Sequence, residues 1–317
     1  MKIKKPIFIV GHERSGTSLL RAIIGSHPEV SIPPNDCNLL RYYDMRSKYG
    51  NFETEEEKWL FINDIKSDHK FKCWPMDWAG LETDILSKCQ NLKEAYICIL
   101  RNLWDKSGKT RGALKRPTYE HRIEFLLELF PDSLFIAIIR DPRSIVASQK
   151  YYNGKLRKYW KVGFFNTGCI VTGMSWNKSI GKIRSFEKKY GKGQILVLSY
   201  ETLIKSPVET VKQICDFTSL DFSESMLEFD KQFDFKSNSS FSTNTGNLIY
   251  KDSLRKWQKK LTHLEVRLVE YFAENKLVAE SYGISDYSMG IIERILFYIN
   301  IFAAFLYRIA KNTQSLR

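Results

Sequence analysis

Residues 6 to 21, PIFIVGHERSGTSLLR, constrain the fold more than any other stretch of the chain. Pro6 to Val10 is an apolar run rich in β-branched and aromatic residues and far too short to span a membrane, so it reads as a buried strand. Leu19, Leu20, Ile23 and Ile24 then recur at helical spacing until Gly25, with Pro28 just beyond, which predicts a short helix packed on a sheet. Between them lies a polar turn bracketed by Gly11 and Gly16. Glycine lets the backbone curl tightly there, while Ser15, Thr17 and Ser18 put hydroxyls beside the unpaired N–H groups of the first helical turn. A strand, turn and helix in this order bind anions.

The spacing from Gly11 to Gly16 is that of a phosphate-binding loop, yet Thr17 stands where such loops carry the lysine that reaches β and γ phosphates. Ordinary nucleoside triphosphate chemistry is disfavoured, and the cation inside the turn is Arg14. A purely structural strand-to-helix turn is the alternative. A second stretch, LKRPTYEHRIEFLLELFPDSLFIAIIRDPRSIVASQKYY, predicts a helix through Ile123, Leu126, Leu127 and Phe130 that stops at Pro131. It is followed by a buried strand of the parallel-sheet kind from Leu134 to Ile139. Arg140, Asp141 and Arg143 then sit where the carboxyl end of a strand meets a new helix, the place where ligands bind in open α/β sheets.

At 317 residues, 43% hydrophobic and 27% charged, the chain can bury a full core, and one large α/β domain is the favoured organisation. Its net charge of +13 suits an anionic cofactor, an acidic substrate, nucleic acid or an anionic membrane surface. Six cysteines without a C-x-x-C pair or a His cluster argue against a zinc site or a disulfide framework and for buried thiols in a reducing, cytoplasmic compartment. The N-terminus shows neither a cleavable signal nor an anchor.

Further helices are expected at 55 to 67 behind a Thr54–Glu57 capping box, at 92 to 106, at about 170 to 189, from Ser206 through Phe217, at 253 to 261 and at 263 to 279. Gln194 to Tyr200 reads as another buried strand, and Ser206, Pro207 and Glu209 as an N-cap, a first-turn proline and a capping-box partner. Trp74, Pro75 and Trp78 either line an acceptor pocket or pack under a loop. The aromatic and basic stretch 151 to 168 is read as a substrate-contacting loop rather than a nucleic-acid surface, and 234 to 252 as a long polar loop. Ile295 to Tyr307 carries no charge but makes only about 20 Å of helix, short of a roughly 30 Å hydrocarbon core. This tail either lies on an anionic bilayer (a peripheral contact through 291 to 311), forms a dimer, or packs back on its own domain.

GHERSGTSLLRAIIGSHP together with FIAIIRDPRSIVAS resembles the sulfotransferases that use 3′-phosphoadenosine 5′-phosphosulfate (PAPS), in flavour the bacterial and tyrosylprotein sulfotransferases. The resemblance runs from the first strand to YGIS near 285. It implies a P-loop-like parallel sheet flanked by helices over residues 1 to 286, with a helical extension from 287 to 317. Arg14, Ser15, Gly16, Thr17 and Ser18 would then hold the 5′-phosphosulfate, and Arg140 and Ser148 the 3′-phosphate. Tyr200 matches an adenine-side tyrosine, although a core tyrosine is equally consistent, and Ser253, Arg255 and Lys256 fall where a late loop closes over the donor. The chemistry implied is in-line attack on sulfur by an acceptor hydroxyl or amine, with Arg14 and Lys115 stabilising developing charge and no metal required. Asn35 stands where related sequences often carry a glutamate base, leaving the adjacent Asp36 as the candidate. The acceptor, whether small molecule, lipid, glycan or peptide, is not specified by these motifs. A P-loop kinase and a non-catalytic basic protein that binds membrane or nucleic acid are the competing functions.

Overall fold

The computed structural model describes residues 5–34, 39–152, 166–229 and 254–314. Five strands, β1 (Ile7–Val10), β2 (Val30–Ser31), β3 (Arg111–Lys115), β4 (Leu134–Ile139) and β5 (Ile195–Ser199), form one sheet in the order β2-β3-β1-β4-β5. Every pairing is parallel, with Ile9 opposite both Lys115 and Ile136 and Val10 opposite Ala137. β1 and β4 are buried along their whole length, as strands covered by helices on both faces must be.

Alternation along β1 splits its side chains between two cores. Ile7 and Ile9 pack with Leu20, Ile23 and Ile24 of the helix Thr17–Gly25 and with Leu203 and Ile214 beyond β5. Phe8 and Val10 face the opposite layer, where Phe8 stacks on Phe135 with ring centroids 5.5 Å apart in a core shared with Trp104 and Leu103 of the helix Leu92–Lys106. Full burial of each such side chain contributes about 1.5–3 kcal/mol. A third layer, the helices Pro142–Tyr152, Lys256–Lys260 and His263–Ala279, covers the far side around Val146, Val266 and Val269.

Most elements begin and end as their local chemistry dictates. Thr54 and Glu57 close a capping box at the start of the helix Glu55–Ser67, and Thr262 and Glu265 do the same for His263–Ala279. Ser206 departs from expectation: its side chain caps nothing, and the helix Pro207–Thr218 starts from the proline alone. Tyr200 leaves the strand and opens the short helix Tyr200–Lys205, capped by Ser199. Trp74 is core, 3% exposed, with its ring centroid 4.8 Å from that of Phe71. Cys73 is exposed rather than buried.

β3 carries no strand signature in the sequence RGALK, and the packing explains why. A Cβ on Gly112 would lie 2.3 Å from the indole of Trp104, whose Nε1 donates to the Ala113 carbonyl at 3.2 Å. Glycine in the strand is therefore a close-approach residue. The C-terminal helix Ile291–Gln314 lies against His263–Ala279 and buries Phe297, Asn300 and Ala304. The side-chain carbonyl of Asn300 accepts from the Asn166 N–H at 2.7 Å.

Candidate active site

Because β1 lies between β3 and β4, three strand ends open on one edge of the sheet. The turn after β1, Lys115 at the end of β3 and Arg140 just past β4 are neighbours for that reason. Gly11 has φ +146°, and a Cβ there would sit 2.6 Å from the Ile138 carbonyl oxygen. Gly16 has φ +104°, and a Cβ there would reach within 2.5 Å of the Tyr200 ring. Only glycine fits either place. Arg14 adopts φ +67°, a left-handed conformation that costs a residue with a side chain about 1 kcal/mol.

The turn is braced by the Ser15 N–H donating to the His12 carbonyl at 3.1 Å. The first helical bond runs from the Leu20 N–H to Gly16 at 3.0 Å. Gly16 offers no capping side chain and the first turn holds no acid, so its amides and the positive end of the helix dipole are directed out of the turn.

Cations surround those amides. Lys115 is only 2% exposed, and its Nζ donates to Ser18 Oγ at 3.2 Å. Arg14 Nε and Nη2 donate to Ser148 Oγ at 3.3 and 3.2 Å. Arg140 Nη1 donates to the Arg14 carbonyl at 3.2 Å, and its guanidinium lies 4.0 Å from the centre of the Tyr200 ring, a cation–π contact. Two motifs that are distant in sequence are thus in direct contact. Among the described residues, the buried atoms Ser15 Oγ and Arg140 Nε have no hydrogen-bond partner. Such atoms at the mouth of an uncapped helix fit an oxyanion.

A supporting frame fixes this arrangement. Arg143 pairs with Asp141 and with Glu270, each at 2.8 Å, and its guanidinium lies 4.3 Å from the Trp257 ring centre. Those buried charges are mutually satisfied and pin the start of the helix that carries Ser148. The Asp141 N–H donates to Glu201 at 3.1 Å, and Glu201 also accepts from Ser199 and Tyr282. Burial, reinforced by the Glu201 charge, raises the Tyr282 phenol well above its usual value and keeps it a donor. Arg21 reaches from the helix Thr17–Gly25 to the Pro34 carbonyl at 2.6 Å, anchoring the polar turn beside the site.

Two buried titratable residues lie by the turn: His12 within it, the less favoured candidate base in the sequence, and Glu120, which carries no sequence signal. His12 bonds the Glu13 carbonyl through Nδ1 and Ser175 through Nε2, both at 2.8 Å, and burial lowers its pKa, so the ring is neutral with both nitrogens engaged. Glu120, 4% exposed just beyond β3, accepts from Ser179 at 2.9 Å and has His121 Nε2 at 3.7 Å. Burial pushes its carboxyl up to about 8, the Ser179 hydrogen bond opposes that shift, and the Glu13 charge adds to it.

The structure therefore brings Arg14, Ser15, Gly16, Thr17, Ser18, Lys115, Arg140, Ser148 and Tyr200 together. Arg255 and Lys256 are exposed at the start of the helix whose Trp257 carries Arg143. Asn35, Asp36 and Ser253 lie outside the described residues, as do the loops 153–165 and 230–253.

A model of the sulfotransferase family matches residues 6–224, which span both anion-binding motifs. A putative protein-tyrosine sulfotransferase of Caenorhabditis briggsae is 25% identical over 226 residues, covering 70% of this chain and 68% of its own length. Protein-tyrosine sulfotransferase 2 of Gallus gallus is also 25% identical, over 71% of this chain and 54% of its own length. An omega-hydroxy-beta-dihydromenaquinone-9 sulfotransferase of Mycobacterium bovis is 24% identical over 276 residues, 74% of this chain and 69% of its own. Of several animal relatives, then, the chain spans only about half the length. In fold, the sulfotransferase domain of the curacin biosynthetic pathway superposes with a TM-score of 0.63 at 21% identity over 90% of this chain and all of that domain. A mouse sulfotransferase complexed with PAP gives a TM-score of 0.50 at 14% identity, covering 92% of this chain and 87% of that one. With the family model matching residues 6–224, most of the chain, the chain belongs to the sulfotransferase family of enzymes.

Proposed function

We propose that this chain transfers the sulfuryl group of PAPS to a hydroxyl or amine of an acceptor. The observation that carries the reading is the direct link between the glycine-bracketed turn and the Arg140–Ser148 pair, through the Arg14 side chain on one and its carbonyl on the other. A donor with phosphate at both ends of an adenosine needs two anion sites held at a fixed separation, and rigid coupling of the two supplies it. The fit is supported by the unpartnered Ser15 hydroxyl and Arg140 Nε at the mouth of the uncapped helix.

In the reaction the acceptor oxygen or nitrogen bonds to sulfur as the bond from sulfur to the phosphate oxygen breaks, adenosine 3′,5′-bisphosphate leaves, and the acceptor proton passes to a base. Negative charge grows on the bridging oxygen and the sulfuryl oxygens. Lys115, buried beside Ser18, and Arg14 over the turn stabilise it from fixed positions, where little reorganisation is needed. The helix amides bind the 5′ end, Arg140 offers a forked, permanently charged clamp for the 3′-phosphate, and Tyr200 gives the adenine side a ring already stacked on that arginine. His12, neutral and engaged at both nitrogens, positions the turn rather than taking the proton; Asp36 is the proposed acceptor of that proton.

Calorimetric titration tests the donor reading. Adenosine 3′,5′-bisphosphate should bind about tenfold or more tightly than ADP, since the 3′-phosphate adds a charge-assisted hydrogen-bond set. Equal affinities, or magnesium-dependent ATP turnover, would replace the reading with a nucleotide-phosphate enzyme.

A further inference from the structure

The C-terminal helix Ile291–Gln314 has two unlike faces. Phe297, Asn300 and Ala304 are buried against the domain, at 9%, 0% and 8% exposure. On the other side Ile291, Ile292, Ile295, Tyr298, Ile299, Phe302, Phe305 and Leu306 are all exposed. At 3.6 residues per turn these eight side chains fall within an arc of about 140°, opposite the buried set. A residue-by-residue sprinkling of exposed apolar groups is normal; a continuous stripe over four turns is not.

We propose that this stripe docks on the surface of an anionic lipid bilayer. No helix among the described residues is long and apolar enough to cross a membrane. A two-helix seam uses a narrower a/d stripe than the arc found here, whereas an interfacial helix sinks a broad apolar face to the acyl boundary. The charge fits the same partner. Glu293 is the sole acid in the helix sequence and is occupied with the Gly290 N–H at 3.1 Å, while Arg294 flanks the stripe on a chain of net charge +13. Tyr298 has the polar tip that favours the headgroup level, and Phe302 and Phe305 belong to the apolar face that sinks to the acyl boundary.

Docking would also orient the enzyme. Ser175 meets His12 at the donor turn, and Asn166, which holds Asn300, lies nine residues earlier, about 13 Å further toward the N-terminal end of the helix Thr167–Tyr190. The stripe-bearing helix is thus fastened to the start of the helix that also meets the donor turn.

Flotation of the full chain with vesicles decides the matter. With vesicles of equal parts phosphatidylcholine and phosphatidylglycerol the protein should float, less so with phosphatidylcholine alone and less so in high salt. Ile295→Asp with Phe302→Asp, both at exposed positions, should lower the bound fraction's partition about tenfold or more, while Val208→Asp, exposed elsewhere, should leave it unchanged. Failure of the wild-type chain to float, or flotation of the double variant equal to wild type, would overturn the proposal. A wild-type dimer that sediments as a monomer after the double substitution, with no flotation, would assign the face to a second copy of the chain. The readout needs no donor or acceptor, so it stands or falls apart from sulfuryl transfer.

Discussion

The turn after the first strand and the C-terminal helix are both built around apolar runs, and they dispose of them in opposite ways. Ile7 to Val10 are completely buried, and that burial holds the turn of residues 11–16 at one edge of the sheet. Ile291 to Leu306 keep their apolar side outside, on a helix whose inner face alone contributes to the fold. A region that buries its apolar side chains creates a fixed polar site; one that displays them creates a surface. Substitutions should therefore separate the two by what they damage.

The largest effect is expected at Arg14. Arg14→Ala removes a cation from the place where charge develops and should slow single-turnover breakdown of PAPS by about 100- to 1,000-fold. A change below threefold would make the turn a binding element only. Next comes Gly16→Ala, which drives a methyl group to 2.5 Å from the Tyr200 ring at φ +104°. Thermal denaturation should show a loss of about 2–4 kcal/mol, with Tyr200→Ala in the same chain recovering part of it.

Glu120 gives a smaller, pH-dependent effect. Its carboxyl is raised to about 8 in the fold from a usual 4.5, so between those values the folded chain keeps a proton that the unfolded chain has released. Stability from this group is full below the unfolded value and declines as pH rises through the window, by about 1.4 kcal/mol per pH unit at most. Glu120→Gln should match wild type at pH 5 and be more stable by about 2–4 kcal/mol at pH 9. Equal stability at both pH values would mean that water or a rearrangement relieves the buried charge. The smallest effect belongs to the tail: Phe302→Asp should change stability by no more than about 0.5 kcal/mol, because its side chain is 61% exposed.

The turn after the first strand was legible in the sequence because several local signals agree there. A β-branched run, two glycines and a helical period place the turn, and an uninterrupted apolar strand ending in Arg140 places its partner. β3 was not legible: Gly112 is present for the Trp104 ring and Lys115 for the site, so neither residue follows strand propensity. Lys115 was visible only through its K-x-P setting, and the sequence could not say that it is buried. Glu120 was invisible, and the burial of His12 likewise, because their partners, Ser179 and Ser175, come from a helix more than fifty residues away. The tail was half legible. Its uncharged apolar run was read as a helix, but only packing shows that Phe297 and Asn300 turn inward while Ile295 and Phe302 do not.

Two anion sites joined through Arg14 are what make the reading of this molecule specific, and titration of wild type and Arg140→Ala with adenosine 3′,5′-bisphosphate and with ADP measures that joining. The account predicts that Arg140→Ala weakens the bisphosphate about 30- to 100-fold while weakening ADP less than about threefold. Equal losses for the two ligands would show that Arg140 only braces the turn through the Arg14 carbonyl, and would contradict a 3′-phosphate site there.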